Sequence, residues 1–326
     1  MLDNPHLRRN ALAYEAFIRR AAELDQPFML KGSYVTRQYF AHPTDRVADD
    51  LDWVYLEPVA DVATARALFD EWVTKITELR LPDGVVFRSF RENAFWRSID
   101  YAMGDDFPTV STDVECWIDG EHVNGLWLDI SFNLPIDLPS QLLEYRPLQG
   151  DTFLIAHTTP LALQVAWKLH QTLVRPRFKD LFDLLHLLRH PDFTPTAQQQ
   201  ALQALRQECR ADGTDPSRLR WLLAGDLAPL FGKEDVAAVW QWWRYGPPTD
   251  RGYLLGTTDD AAHITDATQL PTTLNEFQEL LRAAFQQSGL AAASSWLLTT
   301  TGPPTTRKEP SAEKRGFLDG LRELFN

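Results

Sequence analysis

Asp50 and Asp52 flank Leu51 at the head of an apolar run, Trp53-Val54-Tyr55-Leu56, whose composition suits a strand. Residues two apart in a strand share a face, so both carboxylates point one way and Leu51 and Trp53 the other. Two neighbouring acids repel each other unless a cation lies between them, and hard oxygen donors suit Mg2+. Upstream, Pro27-Phe28-Met29-Leu30 reads as a buried strand running into Lys31-Gly32-Ser33, and Tyr34 to Phe40 reads as a short helix. Strand, small-residue turn and helix start is a shape that presents backbone N–H groups to a phosphate. Gly32 lets the backbone come close, and Ser33 offers a hydroxyl. A lone Asp-x-Asp is more often a solvated strand end, and a lone Gly-Ser says less still. Their order and separation carry the signal.

A second block lies at residues 168–183. Lys168 and Arg175 are seven residues apart, two helical turns, and so fall on nearly the same face. Pro176 interrupts that helix, and Lys179-Asp180 opens another on which Asp180 and Asp183 lie one turn apart. Either half alone reads as a helix with surface ion pairs. The whole pattern, K-x6-R-x3-K-D-L-x-D, is much rarer.

The intervening sequence supplies the scaffold. Residues 5–24 have helical apolar spacing with Arg8, Arg9, Arg19 and Arg20 between, which reads as a packing helix with a solvated basic face; RNA contact by those arginines is the minor reading. A helix follows over 61–79, a turn at Pro82-Asp83-Gly84, and a strand from Val85. Arg88, Arg91 and Arg97 alternate with Phe90, Phe95 and Trp96, a composition that suits single-stranded nucleic acid and, equally, sheet and loop packing. Thr109–Ile118, the turn Asp119-Gly120-Glu121 and a return strand to Phe132 form a hairpin in which Leu128, Ile130 and Phe132 share one face and Trp127, Asp129 and Ser131 the other. Pro135 to Pro139 breaks the sheet; one short strand is expected at 151–155, then a helix capped by Thr159 with Pro160 at its first position. Residues 195–246 and 272–287 read as further helices, with Trp240, Trp242 and Trp243 as packing residues. Residues 298–314 read as a linker and Phe317 to Phe325 as an amphipathic tail. His157, His170 and His186 read as structural.

The segments G-S-x-x-x-R … R-x-x-x-D-L-D (Gly32, Ser33, Arg37, Arg46, Asp50, Asp52) and the block Lys168, Arg175, Lys179, Asp180, Asp183 resemble, in that order, the two motifs of the AbiEii-type toxins, the nucleotidyltransferase half of an abortive-infection toxin–antitoxin pair. The resemblance covers about residues 25–190. It implies an α/β (α+β) fold, a nucleotidyltransferase-like mixed sheet with flanking helices; with the helical spacing further on, residues 1–157 are expected to form that domain, 158–297 a mostly helical domain that completes the nucleotide site, and 298–326 the linker and tail. It implies transfer of NMP from an NTP, with Mg2+ or Mn2+ held by Asp50, Asp52 and a third carboxylate on a later strand. Asp129 is the candidate for that third acid, with Asp113 and Glu115 as rivals. One metal would activate the acceptor hydroxyl and a second the leaving pyrophosphate. Gly32, Ser33 and Lys168 would hold the triphosphate; Asp180 or Asp183 would position Lys168; Arg175 and Lys179 would support phosphate or pair with acids; Arg37 and Arg46 would buttress carboxylates or touch phosphate. The implied acceptor is the 3′ end of tRNA, and the implied partner a neighbouring antitoxin. A protein acceptor is the first alternative. A metal-dependent glycosyltransferase, or a silent nucleotide-binding module, is the alternative of another class.

Composition narrows the field. At 326 residues, 44% of them hydrophobic, the chain suits one large or two ordinary domains. The start is polar without a secretory signal, no apolar run reaches membrane-spanning length, and Cys116 and Cys209 stand apart, so a reduced cytoplasmic setting without structural zinc or a membrane is expected. The net charge is −13, and residues 1–190 hold 19 basic against 28 acidic side chains, which argues against broad nucleic-acid binding and leaves room for a local basic patch.

Overall fold

A mixed sheet positions the first motif. The structure is a computed structural model and describes residues 5–99, 108–246, 264, 267–295 and 297. Its eight strands are β1 (Phe28–Lys31), β2 (Leu51–Tyr55), β3 (Val85–Phe87), β4 (Arg97–Ser98), β5 (Thr109–Ile118), β6 (Glu121–Ser131), β7 (Gln141–Tyr145) and β8 (Phe153–Thr158). They lie in the order β3-β5-β6-β2-β1-β8-β7, with β4 also on β5. The β2/β6 and β1/β8 pairs are parallel and the rest antiparallel. The β5–β6 connection is a hairpin, as expected, with Glu121 already in β6: the two turn residues Asp119 and Gly120 have φ of 52° and 82°, the left-handed pair such a turn requires.

One sheet face is apolar because alternate residues of each strand are. Phe28, Leu30, Trp53, Ile130 and Phe132 are buried there. Helices α1 (Pro5–Leu24) and α3 (Val62–Glu78) cover it: Trp72 stacks on Phe28 at 3.8 Å, and Phe17 meets Trp72 edge-on at 6.0 Å. Asp61 caps α3 through Thr64 N. One arginine of α1 corrects the solvated reading of its basic face, while Arg8, Arg9 and Arg19 stay partly exposed. Arg20 is wholly buried, donating to Asp83 at 2.6 and 2.9 Å and to the carbonyls of Ala16, Leu79 and Val85. Arg19 bonds Asp151 O and lies over Phe153.

The strands β4 and β7 escape the sequence pattern. β4 has two residues, and β7 is an edge strand with Leu142 exposed, so neither shows an apolar alternation. The helix after β8, α4 (Leu161–Val174), begins at Leu161 with Pro160 as N-cap. Thr159 does not cap it: its N–H and hydroxyl both go to Leu30 O, at 3.0 and 3.1 Å, extending the β1/β8 pairing.

Two compact units divide the described chain. The first holds residues up to Gln38 and Ala48–Thr159; the second holds Tyr39–Val47 and the residues from Pro160. The second is helical: α4, α5 (Phe178–Leu187), α6 (Pro195–Asp212), α7 (Leu219–Ala224), α8 (Ala228–Phe231), α9 (Val236–Tyr245), α10 (Leu274–Gln287) and α11 (Leu290–Ala293). Its aromatic core gathers Phe178, Trp240, Trp243 and Phe277, with ring centroids 5.0 to 6.1 Å apart. Trp240 and Trp243 are thus packing residues, as expected, whereas Trp242 is exposed, on the outer side of α9. Within this unit Phe40, from the 39–47 segment, stacks on His186 at 3.8 Å. No described helix is long and apolar enough to cross a membrane. The proposed linker and tail lie outside the described residues.

Candidate active site

The Gly32-Ser33 turn and the acids meet because β1 and β2 pair antiparallel, setting Lys31 opposite Asp52. Gly32 has φ 71° and ψ −148°, a conformation that side chains rarely adopt, and starts the four-residue helix α2 (Ser33–Thr36). Its α-carbon lies against the Asp52 carboxylate: an added Cβ would fall 2.2 Å from Asp52 Oδ2. Lys31 Nζ donates to Asp52 Oδ1 at 2.9 Å, and Ser33 Oγ donates to Asp50 Oδ1 at 3.3 Å. The parallel β2/β6 ladder sets Asp52 beside Asp129, and β5 and β4 add Ser111 and Arg97. Lys31, Asp52, Asp129, Ser111 and Arg97 therefore form one polar row across five strands, on the face opposite Trp53 and Ile130. Of the candidates for the third acid, only Asp129 pairs with Asp52; Asp113 and Glu115 hold Arg97 and Arg88.

Tyr14 of α1 fixes the approach to this row. Its hydroxyl accepts from Trp127 N at 3.2 Å and donates to Asp49 O, tying the residue before Asp50 to β6. Burial, above all, pushes the Tyr14 phenol well above its ordinary range, so it stays a neutral donor.

In the helical unit the second motif becomes a buried chain of charges. Lys168 Nζ lies 2.7 Å from both Asp180 Oδ1 and Asp183 Oδ2. Arg46 grips Asp183 with Nε at 2.8 Å and Nη2 at 3.3 Å, and Arg177 Nε donates to Asp180 Oδ2 at 2.7 Å. Charges alternate along Arg177, Asp180, Lys168, Asp183 and Arg46, and both acids are fully buried. Burial alone would push Asp183 up, but Arg46 and Lys168 outweigh it and hold its carboxyl far below the usual range. For Asp180, burial is likewise outweighed by Lys168 and Arg177. Burial would lower the Lys168 ammonium, yet Asp180 and Asp183 raise it, so it is charged at any physiological pH.

The other candidates fall elsewhere. Arg37 is buried, 3.6 Å from Glu15, which also accepts from Tyr145 OH and Leu148 N; that is a packing network. Arg175, at the C-terminus of α4, is exposed. Lys179 is half-buried on α5. Two residues outside the sequence-based set join the clusters. Lys31 had only its neighbour Gly32 to recommend it, and its role depends on hairpin register. Arg177 sits three residues before Asp180, a helical spacing visible in the sequence. Of the histidines, His170 pairs with Asp212 at 3.0 Å and His157 with Ser140 at 2.9 Å.

Among the described residues, no three His, Cys, Asp or Glu side chains are grouped to hold an ion as they stand, so Asp50, Asp52 and Asp129 do not form a closed chelate. The donor set still fits a hard cation. It is all carboxylate, its two ladder neighbours are acids, and a cationic ammonium already rests on Asp52.

A family model described as "Nucleotidyl transferase AbiEii toxin, Type IV TA system" matches residues 16–318. No curated protein matches. Among solved structures, this chain is similar to MenT4, a nucleotidyltransferase toxin from Mycobacterium tuberculosis H37Rv, at a TM-score of 0.42 and 17% identity, over 88% of this chain and 96% of that one.

Proposed function

The chain belongs to the AbiEii nucleotidyltransferase toxin family of type IV toxin–antitoxin systems, and from that premise we propose that it uses Mg2+ to transfer NMP to the 3′ end of a tRNA. Membership makes it a nucleotidyltransferase acting on an NTP, in a family that uses a divalent metal and is countered by an antitoxin. The tRNA acceptor, the choice of Mg2+, the residue roles and cytoplasmic action are the proposal. The observation that carries the site assignment is the contact between Gly32 and Asp52, which binds the small-residue turn and the acid into one construction.

The acceptor 3′ oxygen bonds to the α-phosphorus, the bond to the bridging oxygen breaks, and pyrophosphate leaves. Asp50, Asp52 and Asp129 are the residues to hold Mg2+, which when bound supplies Lewis acidity toward hydroxyl and phosphate. Ser33 orients Asp50, and Lys31 balances Asp52. Gly32 and Ser33 are assigned to the triphosphate by their place in the first motif, and the missing Cβ of Gly32 lets the turn close on the Asp52 carboxylate. Lys168 is assigned to the triphosphate by its place in the second motif; Asp180 and Asp183 keep it charged and aimed, and Arg46 and Arg177 neutralise those acids in turn. Such preorganised charge is the main source of rate in transfers of this kind. Arg37 serves packing in this assignment, and Arg175 and Lys179 remain candidates for outer phosphate contacts.

Purified protein with each labelled NTP, Mg2+ and whole-cell lysate tests the proposal. Label in tRNA-sized RNA, lost in Asp52→Asn, is the expected result. Label in protein would move the acceptor to the alternative. Turnover of sugar nucleotides without NTP use, or transfer undiminished in Asp52→Asn, would overturn the assignment.

A further inference from the structure

The arginine–aromatic stretch at 88–97 has one member, Arg97 at the end of the polar row, to which no role has been assigned. Arg88 is tied to Glu92 and Glu115 and Arg91 to Glu78, while Phe90 and Trp96 are buried. Arg97 is also paired, with Asp113 at 2.7 Å, but its guanidinium carbon lies 5.5 Å from the ring centre of Phe95 and 5.7 Å from that of Trp127. Trp127 is 59% exposed, a large indole left in solvent on a strand whose other face is core.

Its position is specific. Trp127 precedes Asp129 by two residues on β6, so it shares the acids' face, about 7 Å along the strand. It stands one step before the first β2/β6 ladder pair, Leu51 and Leu128, as Asp50 does on β2. Its backbone is pinned by the Tyr14 hydroxyl. A flat π surface beside the proposed site matches a nucleobase: the indole stacks on the base, and the Arg97 guanidinium, balanced by Asp113, borders the ring.

We infer that Trp127, with Arg97, is a stacking platform for the nucleobase of a substrate, either the NTP's own base or the terminal unpaired base of the RNA acceptor. The inference rests on the nucleotidyl-transfer reading and adds a specificity-determining surface to it. Trp127 binds; it takes no part in bond making.

The test measures equilibrium binding by full-length wild type, Trp127→Ala, Trp127→Phe and Arg97→Gln. The probes are each of the four NTPs alone, and a short RNA with an unpaired 3′ end, intact and abasic at its last nucleotide. Trp127→Ala is expected to weaken one class of probe by roughly 5- to 100-fold. Trp127→Phe should keep binding within a few-fold, and Arg97→Gln should fall between. Weaker NTP binding assigns the platform to the nucleotide; weaker binding of intact but not abasic RNA assigns it to the acceptor. Unchanged binding of every probe by Trp127→Ala overturns the inference, as does equal weakening of intact and abasic RNA with NTP binding unchanged. Label transfer run alongside separates the two proposals. Loss of transfer in Asp52→Asn with wild-type binding by Trp127→Ala rejects the platform alone, whereas a wild type that transfers no label rejects the enzymatic reading and leaves the binding results to judge Trp127.

Discussion

Replacing Gly32 by alanine puts a methyl group 2.2 Å from Asp52 Oδ2 and 3.0 Å from the Asp52 Cβ and Cγ. Ordinary carbon contacts begin near 3.5 Å, so the carboxylate must retreat by roughly 1 Å or the turn must open. The backbone at φ 71°, ψ −148° adds strain of about 1–3 kcal/mol for any residue with a Cβ. Asp52 cannot retreat freely, because Lys31 holds its other oxygen at 2.9 Å and β1 and β6 flank its strand. The stability loss should therefore be at least about 1–3 kcal/mol, a fall in Tm of several degrees or more. The activity loss should be much larger, on the order of 100-fold or more in kcat, since a misplacement near 1 Å at a reacting centre has that effect. Thermal denaturation and initial rates of label transfer, measured on one preparation, give both numbers. A Gly32→Ala protein with wild-type kcat would refute the reasoning, because the glycine would then be a turn residue with no bearing on Asp52.

Asp129→Asn, nearly isosteric, should keep the fold and lower label transfer by at least about 1,000-fold, as befits several kcal/mol of lost metal-centred stabilisation; near-normal transfer would return the third-acid role to another residue. The buried acids set an acid limit on stability. Asp180 and Asp183 have folded pKa values below the ordinary 3.8, so their contribution is complete above about pH 4 and is lost as pH falls below it. Urea midpoints between pH 2.5 and 7 should show that fall, shallower in Asp183→Asn; a midpoint flat to pH 2.5 would contradict it. Arg20→Met should destabilise by about 3–5 kcal/mol, since it strands Asp83 and three carbonyls, and should leave RNA affinity of the folded fraction unchanged. Burial pushes both cysteine thiols up to about 12, so a thiol reagent at pH 8 should label Cys116 and Cys209 only after denaturant is added.

The strands that carry chemistry were legible because their faces differ in polarity. Leu128 and Ile130 against Asp129, and Leu51 and Trp53 against Asp52, fix which side each acid takes without any knowledge of neighbours. Register was not legible. That Asp52 lies between Lys31 and Asp129 follows from how β1, β2 and β6 pair, and no local pattern encodes it. Arg46 illustrates the same limit. Its place four residues before Asp50 suggested a buttress for the first motif, yet its guanidinium serves Asp183, 137 residues away, and the segment 39–47 belongs with the helical unit. Thr159 before Pro160 has the pattern of a helix cap, yet a strand carbonyl, Leu30 O, claims its hydroxyl instead. Arg20 was read as solvated because arginine usually is, and a full set of buried acceptors overrode that tendency.

The polar row draws its members from strands far apart in the chain, and that separation has a bearing on biosynthesis. Asp52 leaves the ribosome long before Asp129, and the Lys168 block emerges later again. A nascent chain or a fragment ending before β6 therefore holds Asp50 and Asp52 without Asp129, and in the proposed assignment its carboxylate set is incomplete.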